Sequence, residues 1–153
     1  FWSGFNGDFI ASCDLAMAAD SALFATPGVN IGLFCSTPMV ALSRNVANKQ
    51  AMEMLLTGDR ISAQKAQQIG LINQAISPEE LTEQTMAMAT KIAAKSTMTI
   101  AVGKRAFYEQ AEMPLEDAYN YASQVMVDNM LKHDAEEGIG AFIGKRSPEW
   151  QDR

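Results

Sequence analysis

Few side chains in this sequence combine the types and spacing that chemistry needs. The segment Gly4-Phe5-Asn6-Gly7-Asp8-Phe9 is a glycine-bearing turn that leads into an apolar helix. Unpaired backbone N–H groups at a helix start attract negative charge, so an oxyanion or a phosphate could sit there. Read without any ligand, it is a plain turn whose Asp8 complements the helix dipole, and isolated glycine-rich turns are weak signals. Asp8 and Asp14 stand six residues apart, which does not bring them to one helix face, so they are no paired-carboxylate site. Asp14 is expected to cap or terminate the helix. Cys13 and Cys35 are the only cysteines, sit among apolar residues, and read as buried core thiols of a reduced, intracellular chain. Neither has a histidine to activate it. With His133 as the single histidine, a Ser–His–Asp triad and a histidine-based metal site are disfavoured, and no metal is expected. Gly144-Lys145-Arg146 is a small basic cluster at a helix end, suited to the dipole or to the phosphates of a nucleotide-like ligand.

These residues must be positioned by a chain of 153 residues, for which one domain is the prior. Apolar residues make up 48% and the net charge is −6, so no basic excess points to nucleic acid. No apolar run approaches the ~20 residues of a membrane span. The N-terminus lacks the features of a signal or transit peptide. Its aromatic start, Phe1-Trp2, reads as a cut edge.

The pattern changes near residue 58. Before it, FIASCDLAMAA reads as a buried helix, and ALFA and VNIGLF as short buried strands. After it, helices dominate. The helix in ANKQAMEMLLTG should stop at Gly58, and that in SAQKAQQIG should run from Ser62 as N-cap to Gly70 as terminator. LINQAIS alternates like a strand. Ser77, Pro78 and Glu80 form a capping box for the next helix. TMTIAVGKRAFYEQA and PLEDAYNYASQVMVDNMLK are two more helices, and a last one should be capped by Asp134 with Glu137 at its third position. Met17, Met39, Met52, Met54, Met86 and Met88 read as core gap-fillers.

Three blocks make the sequence recognisable: ASCDLAMAADSALFATPGVNIGLF, EMLLTGDRISAQKAQQIGLIN and EGIGAFIGKRSPEW. In combination they resemble the crotonase superfamily, also called the enoyl-CoA hydratase/isomerase family, over nearly the whole chain from Ala11 onward. FATPGVNIGLFCSTP and MVDN are most similar to its hydratase-domain-containing branch. The resemblance implies an α/β fold: a crotonase-like spiral of βαβ turns followed by a helical C-terminal region. It places the second half of the α/β core at residues 1–58 and a helical, trimer-forming and CoA-covering region at 59–153.

It also implies an acyl-CoA thioester as substrate and fatty-acid metabolism as the setting. CoA enters as part of the substrate, with no separate cofactor, and assembly is as a homotrimer or hexamer. The shared mechanism holds the thioester carbonyl in an oxyanion hole of two backbone N–H groups. By the resemblance, one of these belongs to Phe5, beside Gly4, where the family usually has a glycine triplet. The first acid falls on Asp8, where the standard hydratases carry Glu. The second falls on Gly28, which cannot transfer a proton. Phe142 and Lys145 match positions that hold the CoA nucleotide, and Gly4 is expected to bind CoA as well. The family has a preceding half of comparable size, which supplies the other oxyanion donor.

Two functions stand. By the resemblance, the chain is expected to be a crotonase-type acyl-CoA protein, a hydratase or isomerase that is weak or inactive as this piece. Alternatively, it is a non-catalytic assembly module. A bacterial cytoplasm is the favoured compartment, with the mitochondrial matrix as the alternative.

Overall fold

The computed structural model describes residues 7–153, with side chains described from Ile10 onward. They form two compact units, one reaching Met86 and one spanning Ala87–Arg153.

The first unit opens with α1 (Gly7–Ser12), followed by β1 (Met17–Ala19) and β2 (Leu23–Phe24). FIASCDLAMAA is therefore a short helix and a strand, not one buried helix. A 3₁₀ turn (Pro27–Ile31) comes next, then α2 (Ser36–Asn45) and α3 (Asn48–Thr57). β3 (Ile61–Ser62), α4 (Ala63–Gln68), β4 (Gln74–Ile76) and the start of α5 (Pro78–Ala93) complete it. β1 pairs in parallel with β4, Ala18 opposite Ala75, and β2 runs antiparallel to β3, Phe24 opposite Ile61. The parallel pair needs a long crossover, and the helices supply it. Two short sheets and many helices make this a mainly helical α/β fold.

VNIGLF is not a strand. Pro27 fixes the backbone torsion that starts the turn, and Gly32, at φ 79°, ends it in the left-handed region. Ile31 and Leu33 are consequently exposed, where a buried strand would hide them. Local caps elsewhere follow the sequence. Gly58 closes α3 at φ 66°, and its N–H donates to Met54 O. The Ser62 hydroxyl accepts from Lys65 N at the start of α4. Phe24, Leu42, Val46, Met54, Leu55, Ala63, Ala66 and Ile72 form the core, so β2, α2, α3 and α4 share one apolar centre. Of the six methionines expected inside, Met54 alone is fully buried, and Met52 and Met86 are exposed. Cys13 is also exposed rather than core, and Cys35 is half-buried at the edge of the apolar centre.

The second unit contains the end of α5, α6 (Thr97–Gln110), α7 (Leu115–Met130) and α8 (His133–Ile143). Ser96 caps α6 by accepting from Thr99 N. Pro114 separates α6 from α7. Asp134 does not cap α8; Lys132 stands at that position, and Asp134 is the second helical residue, almost wholly buried. Its carboxyl is held below the ordinary carboxylate value, first by the Ser96 hydroxyl and then by the N–H groups of Gln151 and Asp152. Glu137 is pulled down to about 2, first by Arg146 and then by Glu149 N–H.

Both shifts have one sign. The folded state binds these protons more weakly than the unfolded chain; the Glu137 contribution is present above its ordinary value of 4.5 and is lost as pH falls through about 2, and that of Asp134 is likewise lost on acidification. We expect Trp150 fluorescence, read in a Trp2→Phe background, to report loosening of this unit across that window. A spectrum constant from pH 5 down to about 2 would contradict the linkage.

Candidate active site

The 3₁₀ turn holds the first candidate. Thr26, buried, donates its hydroxyl to Met54 O at 2.8 Å and ties the turn to α3. Gly28 N–H donates to Cys35 Sγ at 3.3 Å, and Leu33 N–H donates to Gly28 O at 2.9 Å. The loop therefore folds back on Gly28 from both sides. A Cβ placed there would lie 2.5 Å from Leu33 O and 2.8 Å from Cys35 Sγ. The position that the resemblance gives to a second acid lacks room for any side chain. Sequence shows a glycine at this position; only the three-dimensional turn shows that it is closed.

α1 carries Asp8, packed through its helix near α2, where Asn45 Nδ2 donates to Ala11 O at 2.7 Å. The Asp8 side chain lies outside the described residues, as do Gly4 and Phe5.

The second unit holds the other candidates. Phe142 is 84% exposed on the last turn of α8. Beyond it the chain turns through Gly144 and Lys145, with Lys145 N–H donating to Phe142 O and Arg146 N–H to Ala141 O. This turn needs a left-handed residue after the helix, a place usually taken by glycine. Here Lys145 takes it, at φ 50°. The cost of that backbone state for a residue with a Cβ is ~1 kcal/mol. The Lys145 side chain is exposed, and among the described residues no carboxylate pairs with it. A strained, unpaired cation beside an exposed aromatic ring can meet a phosphate and an apolar or heteroaromatic group together. Among the described residues, no group of three or more His, Cys, Asp or Glu side chains could hold a metal ion, and no helix is long and apolar enough to cross a membrane.

Comparison with known proteins agrees with the motifs. The family model described as enoyl-CoA hydratase/isomerase matches residues 4–153. The mitochondrial enoyl-CoA hydratase domain-containing protein 3 of Mus musculus is 54% identical over 92% of this chain and 47% of its own length. The human protein of that name is 52% identical over 92% of this chain and 46% of its own length. The chain thus spans about half the length of these relatives. Among solved structures, an enoyl-CoA hydratase of Mycobacterium smegmatis superposes at a TM-score of 0.93 with 47% identity, covering 97% of this chain and 58% of that one. The human domain-containing protein 3 superposes at 0.92 with 50% identity, covering the same shares. The chain belongs to the enoyl-CoA hydratase/isomerase family and has the crotonase fold.

Proposed function

We propose that the whole protein of which this chain is part binds acyl-CoA thioesters and polarises the thioester carbonyl through an oxyanion hole. The observation that carries this reading is the end of α8, where an exposed Phe142 and a strained, unpaired Lys145 coincide with the positions expected to hold the CoA nucleotide. Preorganised N–H donors aimed at a developing oxyanion are each worth ~3–4 kcal/mol, and the Phe5 N–H is our candidate for one of them. Asp8 is the candidate acid or base, one methylene shorter than glutamate. Gly28 leaves the partner position empty of proton-transfer chemistry. CoA is part of the substrate in this reading, with no separate cofactor. The non-catalytic alternative is favoured by the closed turn at Gly28, which removes a proton-transfer group without removing the fold.

Lys145→Gly separates binding from folding. Glycine relieves the left-handed strain, so stability is expected to rise by ~1 kcal/mol while CoA affinity falls. Calorimetry with CoA and a denaturant titration read the two effects. Unchanged affinity removes Lys145 from the site, and failure of the intact wild-type protein to bind CoA overturns the reading.

Homo-oligomerisation, as a trimer or hexamer, belongs to the same proposal. Tyr119, Met126, Val127, Met130 and Leu131 leave much apolar surface exposed on and just after α7, as an interface would require. Sedimentation at micromolar concentration should show no clean monomer. The relatives named as mitochondrial support the mitochondrial compartment over the bacterial cytoplasm.

A further inference from the structure

We propose that residues 147–153 form a clasp that fixes the end of α8, with Asp134 as its latch and Trp150 as its anchor. This segment has no regular secondary structure, yet it is bonded along most of its length. Both Asp134 oxygens are taken by it: Oδ1 accepts from Gln151 N at 2.8 Å and Oδ2 from Asp152 N at 3.0 Å. Asp134 N–H donates in return to Arg153 O at 3.0 Å. A buried carboxylate is costly unless its lone pairs are satisfied, and here the tail and the Ser96 hydroxyl satisfy them.

The same seven residues reach two other helices of this unit. Asp152 Oδ1 accepts from Met98 N at 3.1 Å, in the first turn of α6. Trp150 Nε1 donates to Ala94 O at 2.9 Å, just past the end of α5. The Trp150 ring lies over Gly138 so closely that a Cβ there would sit 3.2 Å from it. Glu149 N–H donates to Glu137 Oε1 at 2.8 Å, and the Glu137 Oε2 atom accepts from Arg146 Nη2 at 2.7 Å. Asp152 is held at φ 56°, a left-handed state that a free tail would have little reason to keep.

The consequence concerns what lies between the body of α8 and the clasp. Phe142 and Lys145 stand on the stretch bounded by the Glu137–Arg146 pair and the tail. With the clasp closed, that stretch is fixed before any ligand arrives, which lowers the ordering cost of binding. With it open, the last turn of α8 frays and carries both side chains with it. This consequence rests on the CoA reading; the clasp itself does not.

The test is site-resolved hydrogen exchange in the intact protein, comparing wild type with Trp150→Phe and Asp134→Asn. Trp150→Phe keeps an aromatic ring in the segment while removing the bond to Ala94 O and the indole edge that lies on Gly138, so it remains readable where Asp134→Asn fails to fold. The amides of Met98, Gly144, Lys145 and Arg146 are expected to exchange about 10-fold faster, while those of Leu42 and Leu55 keep wild-type rates. Unchanged rates at the first set, or equal acceleration of both sets, overturn the clasp. CoA calorimetry on the same variants should show weaker binding than wild type. Wild-type protein that binds no CoA overturns the ligand reading alone, and the exchange rates still judge the clasp.

Discussion

Gly28→Ala and Gly28→Glu are both expected to destabilise the protein, by about the same amount, and neither should gain hydratase turnover. The offending atom is the Cβ, which both variants share. It meets Leu33 O at 2.5 Å, a backbone atom that cannot rotate away as a side-chain tip would. Moving that carbonyl pulls on the Leu33 N–H to Gly28 O bond and on the Gly28 N–H to Cys35 Sγ bond together. Overpacking of this kind costs ~1–3 kcal/mol, and contact with backbone puts it at the upper end. Denaturant midpoints measure it. Cys35→Ala in the Gly28→Ala background should recover only part of the loss, because the Leu33 contact remains. A wild-type midpoint for Gly28→Ala would show that the turn opens freely and has room for a side chain. A carboxylate added at this position therefore arrives on a displaced loop, not in a waiting site.

The contrast between Gly28 and Gly58 shows what the sequence made legible. Gly58, Ser62 and Gly70 act within one helical turn of themselves, so their roles were readable from neighbouring residues, and the structure has Gly58 and Gly70 at positive φ and Ser62 as a cap. Gly28 matters because of Leu33 and Cys35, which reach it only after Pro27 and Gly32 have turned the chain. The same run misled the strand assignment, since Val29, Ile31, Leu33 and Phe34 look like an apolar strand until the flanking proline and glycine override their β-propensity. α2 was missed for a related reason: only Pro38 and Leu42 of its residues are fully buried, which leaves a weak periodicity. Asp134 looked like a helix cap because Glu137 follows it three residues later, the spacing of a capping box. Its actual partners, Gln151 and Asp152, lie in an irregular tail that no periodicity announces. Of the candidate site, the motif blocks located the family and the residues to inspect. Strain at Lys145 and closure at Gly28 are properties of backbone paths, and a string of residue types does not carry them.

In the intact protein, hydration of crotonyl-CoA is expected to run at least about 10²-fold slower than in a relative with carboxylates at both acid positions. The expectation rests on the assignment of the second acid to Gly28. General acid–base catalysis by a positioned group is worth ~10²–10⁴-fold, and Gly28 has no proton to give. Its near neighbour Cys35 is no substitute, because that sulfur already accepts the Gly28 N–H and is half-buried against the core. Asp8, the proposed first acid, would face the task alone and is shorter by one methylene than glutamate. These losses do not multiply, because groups that act as a unit are non-additive, so the smallest factor sets the floor. Binding should survive where turnover does not, since the proposed oxyanion donors are backbone N–H groups and Lys145 lies in another part of the chain. The signature is therefore a low kcat with thioester affinity kept, and a rate indifferent to Cys35→Ala. Turnover within about tenfold of a two-carboxylate relative would mean that some other residue performs the proton transfer and that Gly28 does not mark a missing acid. Low kcat with intact affinity would instead direct attention to reactions that need one base or none.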